Sequence, residues 1–382
     1  MQSVKPILSA VLLALGVTAI STTAVHAKAI ETQRHNIELE VVTEGLEYPW
    51  GMDFLPDGSV LITEKTGAVV HYHFDKNEKH TLSGVPEVVY AGQGGLLDIV
   101  VDPNFAENQW VYLSYAEADP AGGDGQSTAV TRARLDGHKL VDQELIFRVA
   151  PKFNSRFHFG SRLVFSPEGH LFITTGDRYH HMDDAQTLDN HDGKIVRIWP
   201  DGSVPEDNPF VDQAGAMPEI WSYGHRNVQG AAIHPLTGKL WAAEHGPKGG
   251  DEINIAEAAN NYGWPVATFG IDYDDSIISD KTYVEGTVLP HYYWVPSIAI
   301  SNMIFYTGDA FPEWKNDLFV AALRGSQVAR LDLDGDRVMH EETLLQDDTK
   351  ARLRDIAQGP DGFIYLLSDD KNGALLRIKP AE

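Results

Sequence analysis

The chain contains no cysteine. This absence excludes thiol catalysis, disulfide bonds and cysteine-ligated zinc sites. Four signature motifs of common enzyme classes are missing as well: a strand-to-helix GxGxxG, GxxxxGK[ST], GxSxG and HExxH. The sequence therefore gives no support to nicotinamide, nucleotide, serine-hydrolase or zincin chemistry.

Basic residues are scarce. The chain has 30 Lys and Arg against 55 Asp and Glu, for a formal net charge of -25. A polyanion of this kind repels nucleic acid and anionic lipid, so neither is an expected partner. Against this background, arginines that cluster in the fold would indicate a site for an anion.

A long apolar run occurs close to the N-terminus. Lys5 precedes the run 7–17, and Val25, His26 and Ala27 form the small-x-Ala pattern of a cleavage site. The run is shorter than a comfortable membrane span, so residues 1–27 are predicted to be a cleaved signal peptide, with a membrane anchor as the alternative. We expect residues 28–382 to form one domain without a membrane span, located in the periplasm or outside the cell.

One pattern recurs six times: an apolar run, a turn rich in Pro, Asp or Gly, and a second apolar run. The copies cover residues 50–64, 96–115, 161–177, 229–246, 301–323 and 353–370. Runs of strand length joined by such turns predict β-hairpins. Repetition at this spacing predicts an all-β fold, a six-bladed β-propeller with four-stranded antiparallel blades. A strand from the N-terminal region, near 36–43, is expected to complete the last blade.

The repeats also predict which residues share a face. In a propeller blade the innermost strand starts at one face, here called the mouth, and the second strand returns to it. Residues just before the first strands are Gln93, His158, Arg226, Asn227, Arg352 and Arg354. Residues just after the second strands are Glu64, Asp177, the segment 244–252 and Arg324. We expect both sets to surround one end of the central channel.

Four of these mouth residues are arginines: Arg226, Arg324, Arg352 and Arg354. Guanidinium groups bind carboxylates and phosphates in planar, bidentate pairs, so several around one cavity predict a ligand with more than one anionic group. The alternative is that each arginine forms an ordinary salt bridge with an acidic residue. Because nucleotide-binding motifs are missing, the predicted ligand is a non-nucleotide anionic cofactor.

Two further features of the mouth suggest chemistry. His158 can accept a proton near neutral pH, as an enzyme that oxidises an alcohol requires, although a hydrogen-bonded rim histidine is the plainer interpretation. The loop region 244–264 combines backbone carbonyls with Asp251 and Glu252. Such oxygen donors suit Ca²⁺, whereas a solvated polar turn is the alternative. The calcium-like segment 332–337 lacks EF-hand spacing and is predicted to be a hairpin turn.

Several motifs together resemble a known family. They are GQGGLLD (92–98), FHFGSRL (157–163), GKIVRI with DNPF (193–210), YGHRNVQG (223–230), EHGPKGGDEIN (244–254), NYGWP (261–265) and RLRDI (352–356). The chain is similar over nearly its whole predicted mature length to the soluble sugar dehydrogenases that depend on pyrroloquinoline quinone (PQQ). It most resembles the bacterial aldose sugar dehydrogenase branch of the glucose/sorbosone dehydrogenase family.

The resemblance implies an activity and a catalytic pair. It implies that an aldose is oxidised at C1 to the lactone, that hydride passes to C5 of PQQ, and that an external acceptor takes the electrons. His158 resembles the general base. Arg226 and Asn227 resemble the residues that contact the quinone, where Arg226 would stabilise developing negative charge.

The resemblance also implies the remaining ligands of PQQ and calcium. Gln93, Tyr273, Arg324, Arg352 and Arg354 resemble further cofactor or substrate contacts. The carbonyls of Gly246 and Pro247 resemble ligands of a Ca²⁺ that bridges to PQQ, and Glu252 with the Tyr262 carbonyl resembles a second, structural Ca²⁺ site. In the better-known glucose dehydrogenase branch a lysine stands where this chain has Arg324. The dimer-forming loops of that branch are not evident, so a monomer or weak dimer is expected.

Two other functions fit a six-bladed propeller. A calcium-dependent lactonase would need Glu, Asn and Asp from several blades around a central cation, whereas this predicted mouth presents Gln93, His158 and arginines. A non-catalytic propeller that binds a glycan or a protein has no reason to concentrate His158 and the arginines in the channel. Fold alone does not decide among them.

Overall fold

The structure is a computed structural model, and it describes residues 29–381. The predicted signal peptide, residues 1–27, lies outside the described residues. Two N-terminal strands, β1 (Ile30–Glu31) and β2 (Asn36–Leu46), precede the first blade. Blade 1 consists of β3 (Pro49–Phe54), β4 (Val60–Glu64), β5 (Ala68–His73) and β6 (Glu78–Thr81). Blade 2 consists of β7 (Leu96–Val101), β8 (Trp110–Ala118), β9 (Gln126–Asp136) and β10 (Lys139–Arg148), with a short helix, α1 (Phe105–Asn108), between its first two strands.

The next four-stranded blades follow in chain order. Blade 3 consists of β11 (Leu163–Phe165), β12 (Leu171–Thr174), β13 (Lys194–Ile198) and β14 (Ile220–Tyr223), with a 3₁₀ turn at Met182–Gln186. Blade 4 consists of β15 (Val228–Ile233), β16 (Leu240–Glu244), β17 (Asp251–Ile255) and β18 (Tyr292–Trp294). Blade 5 consists of β19 (Ile300–Phe305), β20 (Leu318–Ala322), β21 (Gln327–Asp334) and β22 (Arg337–Leu344), with a 3₁₀ turn at Pro312–Trp314.

Blade 6 joins the two ends of the described chain. Its strands β23 (Leu353–Gln358), β24 (Ile364–Ser368) and β25 (Gly373–Pro380) continue into β2, which pairs antiparallel with β25, and β1 adds a short fifth strand. The innermost strands contact one another in the ring order β3, β7, β11, β15, β19, β23 and back to β3. The six predicted hairpins, the propeller and the closing strand are thus confirmed, and residues 332–337 form the predicted hairpin turn.

The hydrophobic core lies between neighbouring blades, and β16 shows why. Leu240 and Ala242 pack towards blade 3, whereas Trp241 and Ala243 pack towards blade 5. Successive side chains of a strand point to opposite faces, so a strand covered on both faces needs a continuous apolar run. Trp294 is buried in the same layer between blades 4 and 5. No helix in the stretch 29–381 is long and apolar enough to cross a membrane.

A buried ionic network links the innermost strands. Arg162 donates from Nη1 to Oδ1 of Asp98 at 2.6 Å, and its Nη2 lies 3.2 Å from Oδ1 of Asp355. The same guanidinium donates from Nε to the carbonyl of Gln229. Asp355 in turn accepts the N–H of Met52 and the amide of Asn302. All six innermost strands or their entrances therefore contribute a group to this network.

We expect Arg162→Met to lower the free energy of unfolding by about 3–5 kcal/mol, because it leaves two buried carboxylates without their cation. Urea unfolding at one temperature measures the change. Lys315→Met is the control, since Lys315 and Asp309 form an exposed pair that contributes about 0–1 kcal/mol. Equal effects of the two substitutions would contradict the central role of the network.

Candidate active site

Two adjoining cavities open at the mouth, and most of the predicted site residues line them. One cavity, of about 240 Å³, is here called the histidine cavity; it is lined by His158, Asp177, Arg226, Pro247 and Trp264, among others. The other, of about 230 Å³, is here called the cationic cavity; its lining includes Gln93, Asn227, Arg352, Arg354, Lys65, His245 and Asp369. The loops before the first strands and after the second strands do meet at one face, as the repeats predicted.

A carboxylate orients His158. Nδ1 of His158 lies 2.6 Å from Oδ1 of Asp177, and Nε1 of Trp264 donates to the other carboxylate oxygen at 2.7 Å. With Nδ1–H donating to the carboxylate, Nε2 carries the free lone pair and can accept a proton. The arrangement is that of a general base held in one tautomer by an acidic partner.

The backbone around His158 is held in a strained conformation. His158 has φ of 51° and Gly160 has φ of 62°, both in the left-handed region. Three contacts maintain it: Gln93 Oε1 accepts the His158 N–H at 2.7 Å, Asn227 Oδ1 accepts the Gly160 N–H at 3.0 Å, and Arg178 donates to the His158 carbonyl. Strain of this kind persists where surrounding contacts enforce it, as at many functional sites. Gln93 and Asn227 thus connect the histidine to the cationic cavity.

The site keeps His158 neutral and Asp177 charged. Burial lowers the pKa of His158, and the nearby Arg226 lowers it further, against the opposing effect of Asp177. Burial acts to raise the pKa of Asp177, but His158 and Arg226 outweigh it and hold that pKa below its usual range. At neutral pH, therefore, the imidazole is available as a base.

The cationic cavity carries an excess of positive charge. Its lining has three cationic side chains, Lys65, Arg352 and Arg354, and one carboxylate, Asp369. Asp369 lies 2.9 Å from Nη2 of Arg354 and 3.5 Å from Nε of Arg352. Burial and Arg354 lower the pKa of Lys65, and Nε of Arg354 is buried without a hydrogen-bond partner. A cavity with this balance suits an anionic ligand.

Arg226 connects the wall of the histidine cavity with the loop that follows β16. Its backbone N–H donates to Glu244, and its Nη1 donates to the carbonyls of His245 and Gly246 at 3.1 and 2.9 Å. The guanidinium also lies over the rings of Trp264 and Tyr273. Its Nε has no partner although it is buried. The Arg226 side chain is thus oriented towards the mouth, and its Nε–H can still donate a hydrogen bond.

The predicted calcium loop is compact and rich in oxygen. A Cβ at Gly246 would lie 2.2 Å from the Gly250 carbonyl oxygen and 2.3 Å from that of Gly249. The carbonyl of Gly246 faces Arg226, whereas that of Pro247 accepts the Ser297 hydroxyl at 3.3 Å. Each carbonyl oxygen has two lone pairs, so a second lone pair remains for a cation at the mouth.

Below this loop two carboxylates lie side by side. Glu244 and Glu252 are paired across β16 and β17, and both line a small cavity with Tyr262. Burial and the charge of Glu244 raise the pKa of Glu252 well above its usual range. Among residues 29–381 no three His, Asp or Glu side chains converge on one point, but Ca²⁺ also accepts backbone carbonyls and needs no such cluster. The donor set around Glu252 fits a hard cation.

Two predicted residues lie at the margin of the site. Arg324 is exposed, one residue beyond Leu323, which lines the cationic cavity. Tyr273 is 58% exposed and approaches the site only through its ring contact with Arg226. Sequence reasoning missed Lys65, although it follows β4 directly and the repeat frame predicts that position to be at the mouth. It also missed the pairing of Asp177 with His158 and that of Trp264 with Asp177, for which the sequence carries no signal.

Comparison with known proteins defines the class. Residues 46–377 match the model of the Glucose / Sorbosone dehydrogenase family, and the chain belongs to that family. It is 43% identical to the aldose sugar dehydrogenase YliI of Escherichia coli over 347 residues, which are 90% of this chain and 93% of that protein.

Two solved structures extend the comparison. The crystal structure of the soluble aldose sugar dehydrogenase from E. coli in the apo-form superposes with a TM-score of 0.86 at 43% identity, covering 90% of this chain and 99% of that one. The PQQ-bound form of aldose sugar dehydrogenase from Streptomyces coelicolor superposes with a TM-score of 0.74 at 27% identity, covering 90% and 98%. The resemblance stated from the motifs is confirmed.

We expect Asp177→Asn to lower the pKa of His158 further below its ordinary value of about 6.5, because the carboxylate that stabilises the imidazolium is lost. Titration of the imidazole ¹⁵N shifts, assigned with His158→Gln, measures the change. Asp183→Asn, which alters an exposed carboxylate next to Met182 in the wall of the histidine cavity, is the control. A rise in the His158 pKa in Asp177→Asn would contradict the assigned pairing.

Proposed function

We propose that the protein is a PQQ-dependent dehydrogenase that oxidises aldose sugars at C1 to the lactone and passes the electrons to an external acceptor. The observation that carries the proposal is the position of a carboxylate-oriented, neutral histidine beside a cavity with excess positive charge. Membership of the dehydrogenase family and the similarity to a PQQ-bound relative support it.

The cationic cavity is the proposed binding site for PQQ, whose three carboxylates match the cations there. Lys65, Arg352 and Arg354 would bind carboxylates, and Nε of Arg354, now without a partner, would gain one. Gln93 and Asn227 line the same cavity, and Arg226 adjoins it. When bound, PQQ supplies the acceptor for the hydride that leaves C1 of the sugar. Arg324 and Tyr273 remain proposed contacts at the rim.

The protein's own residues then govern the proton and the charge. Nε2 of His158 would take the proton of the C1 hydroxyl, and Asp177 would stabilise the imidazolium that forms. Arg226 would stabilise negative charge that develops in the adjoining cavity, since its Nε has no hydrogen-bond partner among residues 29–381. Trp264 fixes the position of Asp177 from the other side.

We also propose that the protein binds Ca²⁺. Glu252 and the carbonyl of Tyr262 would hold a structural ion, and Glu244 lies close enough to Glu252 for the ion to offset the repulsion between the two carboxylates. The carbonyls of Gly246 and Pro247 are the proposed ligands of an ion at the mouth, where it would act as a Lewis acid. Cleavage near Ala27, export to the periplasm or beyond, and a single domain over 28–382 stay predictions.

We expect the protein, mixed with Ca²⁺ and PQQ, to show a bound-quinone absorption spectrum and to reduce an artificial electron-acceptor dye when glucose or another aldose is added. His158→Gln should keep the spectrum while kcat falls by about 10²–10⁴-fold, because only the general base is lost. His180→Gln is the matched control, since His180 is an exposed histidine in the wall of the same cavity.

Two results would overturn parts of this assignment. Absence of dye reduction with every aldose in a panel would refute the dehydrogenase activity. Retained turnover in His158→Gln would exclude His158 as the base, even if the activity itself is present.

We expect Ca²⁺ to raise the Tm, and Glu252→Gln to abolish most of that increase. Binding at 100 times Kd stabilises a native protein by about 2.7 kcal/mol, which corresponds to several degrees for a chain of this size. Thermal unfolding in Ca²⁺ and in EDTA measures the difference, with the exposed Glu257→Gln as control. An undiminished response to Ca²⁺ in Glu252→Gln would place the stabilising ion elsewhere.

A further inference from the structure

Four histidines gather at the seam between blades 1 and 2, on the face opposite the mouth. His71 and His73 lie on β5, His80 lies on β6, and His138 occupies the turn between β9 and β10. His73 and His80 lie close to the turn between β5 and β6, and His138 lies in the turn between β9 and β10. Each of these turns joins the third strand of a blade to the fourth, and such turns lie at the end of the propeller away from the mouth. The group, here called the histidine cluster, is thus separate from the site of the proposed dehydrogenase chemistry.

The strand register brings the imidazoles together. His71 pairs directly with His80 across β5 and β6, and His73 points to the same face as His71 because it is two residues further along the strand. The ring centroids of His71 and His73 are 4.0 Å apart, and those of His80 and His138 are 4.2 Å apart. The two pairs face each other: His73 is 5.7 Å from His80, and His71 is 5.9 Å from His138.

His71 has an unused ligating atom. Its side chain belongs to a residue that is 5% exposed, and its Nε2 is hydrogen-bonded to the Ser59 hydroxyl at 2.8 Å. Its Nδ1 is buried and has no hydrogen-bond partner in the described part of the chain. Burying a polar atom without a hydrogen-bond partner costs free energy. The unpaired Nδ1 of His71, close to three more imidazoles, therefore indicates a position for a ligand.

The surroundings of His71 favour its neutral form. Burial and the neighbouring His73 lower the pKa of His71 to about 4, so its ring is neutral at physiological pH. A metal ion requires this form, since a protonated imidazole nitrogen has no lone pair to donate. The Glu78 carboxylate, 3.6 Å from Nε2 of His80, adds an anionic donor at the edge of the cluster.

We propose that the histidine cluster is a binding site for a divalent transition metal, with Cu²⁺ bound more tightly than Zn²⁺. Neutral imidazoles with no thiolate suit both ions, and Cu²⁺ stands above Zn²⁺ in the Irving–Williams order. Within residues 29–381 no three candidate side chains already converge on one point, so binding requires the rings to turn. His138 is exposed and His80 and His73 are partly exposed, which leaves them room to do so.

The bound metal would join two blades. His138 belongs to a hairpin of blade 2, and the other three histidines belong to blade 1. Backbone hydrogen bonds, such as that from the Ser83 N–H to the His138 carbonyl, hold this hairpin to blade 1 near the cluster. A ligand that binds only the native state stabilises it, so the metal should raise the Tm as well as bind.

The test uses the full chain, purified without a histidine tag and kept in excess Ca²⁺ so that oxygen sites are filled. Equilibrium dialysis against Cu²⁺ alone, and separately against Zn²⁺ alone, measures stoichiometry and Kd, and electron paramagnetic resonance of the Cu²⁺ form reports nitrogen ligands. The variants are His138→Asn and the double variant His73→Asn/His138→Asn. His340→Asn is the matched control, because His340 is an exposed histidine on β22, in blade 5.

We expect one metal ion per chain with several nitrogen ligands, a metal-dependent rise in Tm, and binding more than about 100-fold weaker in the double variant, since even loss of a ligand's partner costs about 10- to 100-fold. His138→Asn replaces an exposed side chain in a turn, so it tests the site without risk to folding. Equal affinity in wild type and both variants, or binding only at millimolar metal, would overturn the proposal. Loss of binding in His340→Asn would overturn it too.

Discussion

The propeller depends on Arg162, a buried cation held between the carboxylates of Asp98 and Asp355. A buried charge is tolerable only when it is paired and hydrogen-bonded, and here the partners belong to different blades. Burial raises the pKa of Asp98 to about 7, against the opposing effect of Arg162. An innermost strand that shifted in register would leave a charge without its partner, so the network fixes how the six strands meet.

On this rigid centre the mouth combines a positively charged cavity with a neutral histidine, in a chain that is negatively charged overall. The chain has a formal net charge of -25, yet the cationic cavity has three cations around one carboxylate. Next to it, burial and Arg226 keep His158 neutral while Asp177 stays ionised. Gln93 and Asn227 line the cationic cavity and also bind the backbone of residues 158–160. The proposed ligand site and the proposed base are therefore positioned by the same two side chains.

The hairpins and the faces they share could be predicted because they depend on local rules. Turn residues and apolar runs specify each hairpin, and six equivalent hairpins imply a closed ring with a common mouth. That frame predicted the positions of His158, Arg226, Arg352 and Arg354. The frame was less informative about Arg324 and Tyr273, whose exposed side chains lie at the margin of the site. Their positions depend on loops and not on strand register.

By itself the sequence determined the all-β class, the six blades, the family and the face on which the chemistry is proposed, since periodicity and turn chemistry act over a few residues. Only the tertiary structure decided which side chains come together: Trp264 with Asp177 across 87 positions, Lys65 with the arginines of the cationic cavity, and four histidines at a seam between blades. Such contacts arise where separate blades pack, and no local pattern encodes them. The chemistry of the mouth thus depends on the closure of the ring.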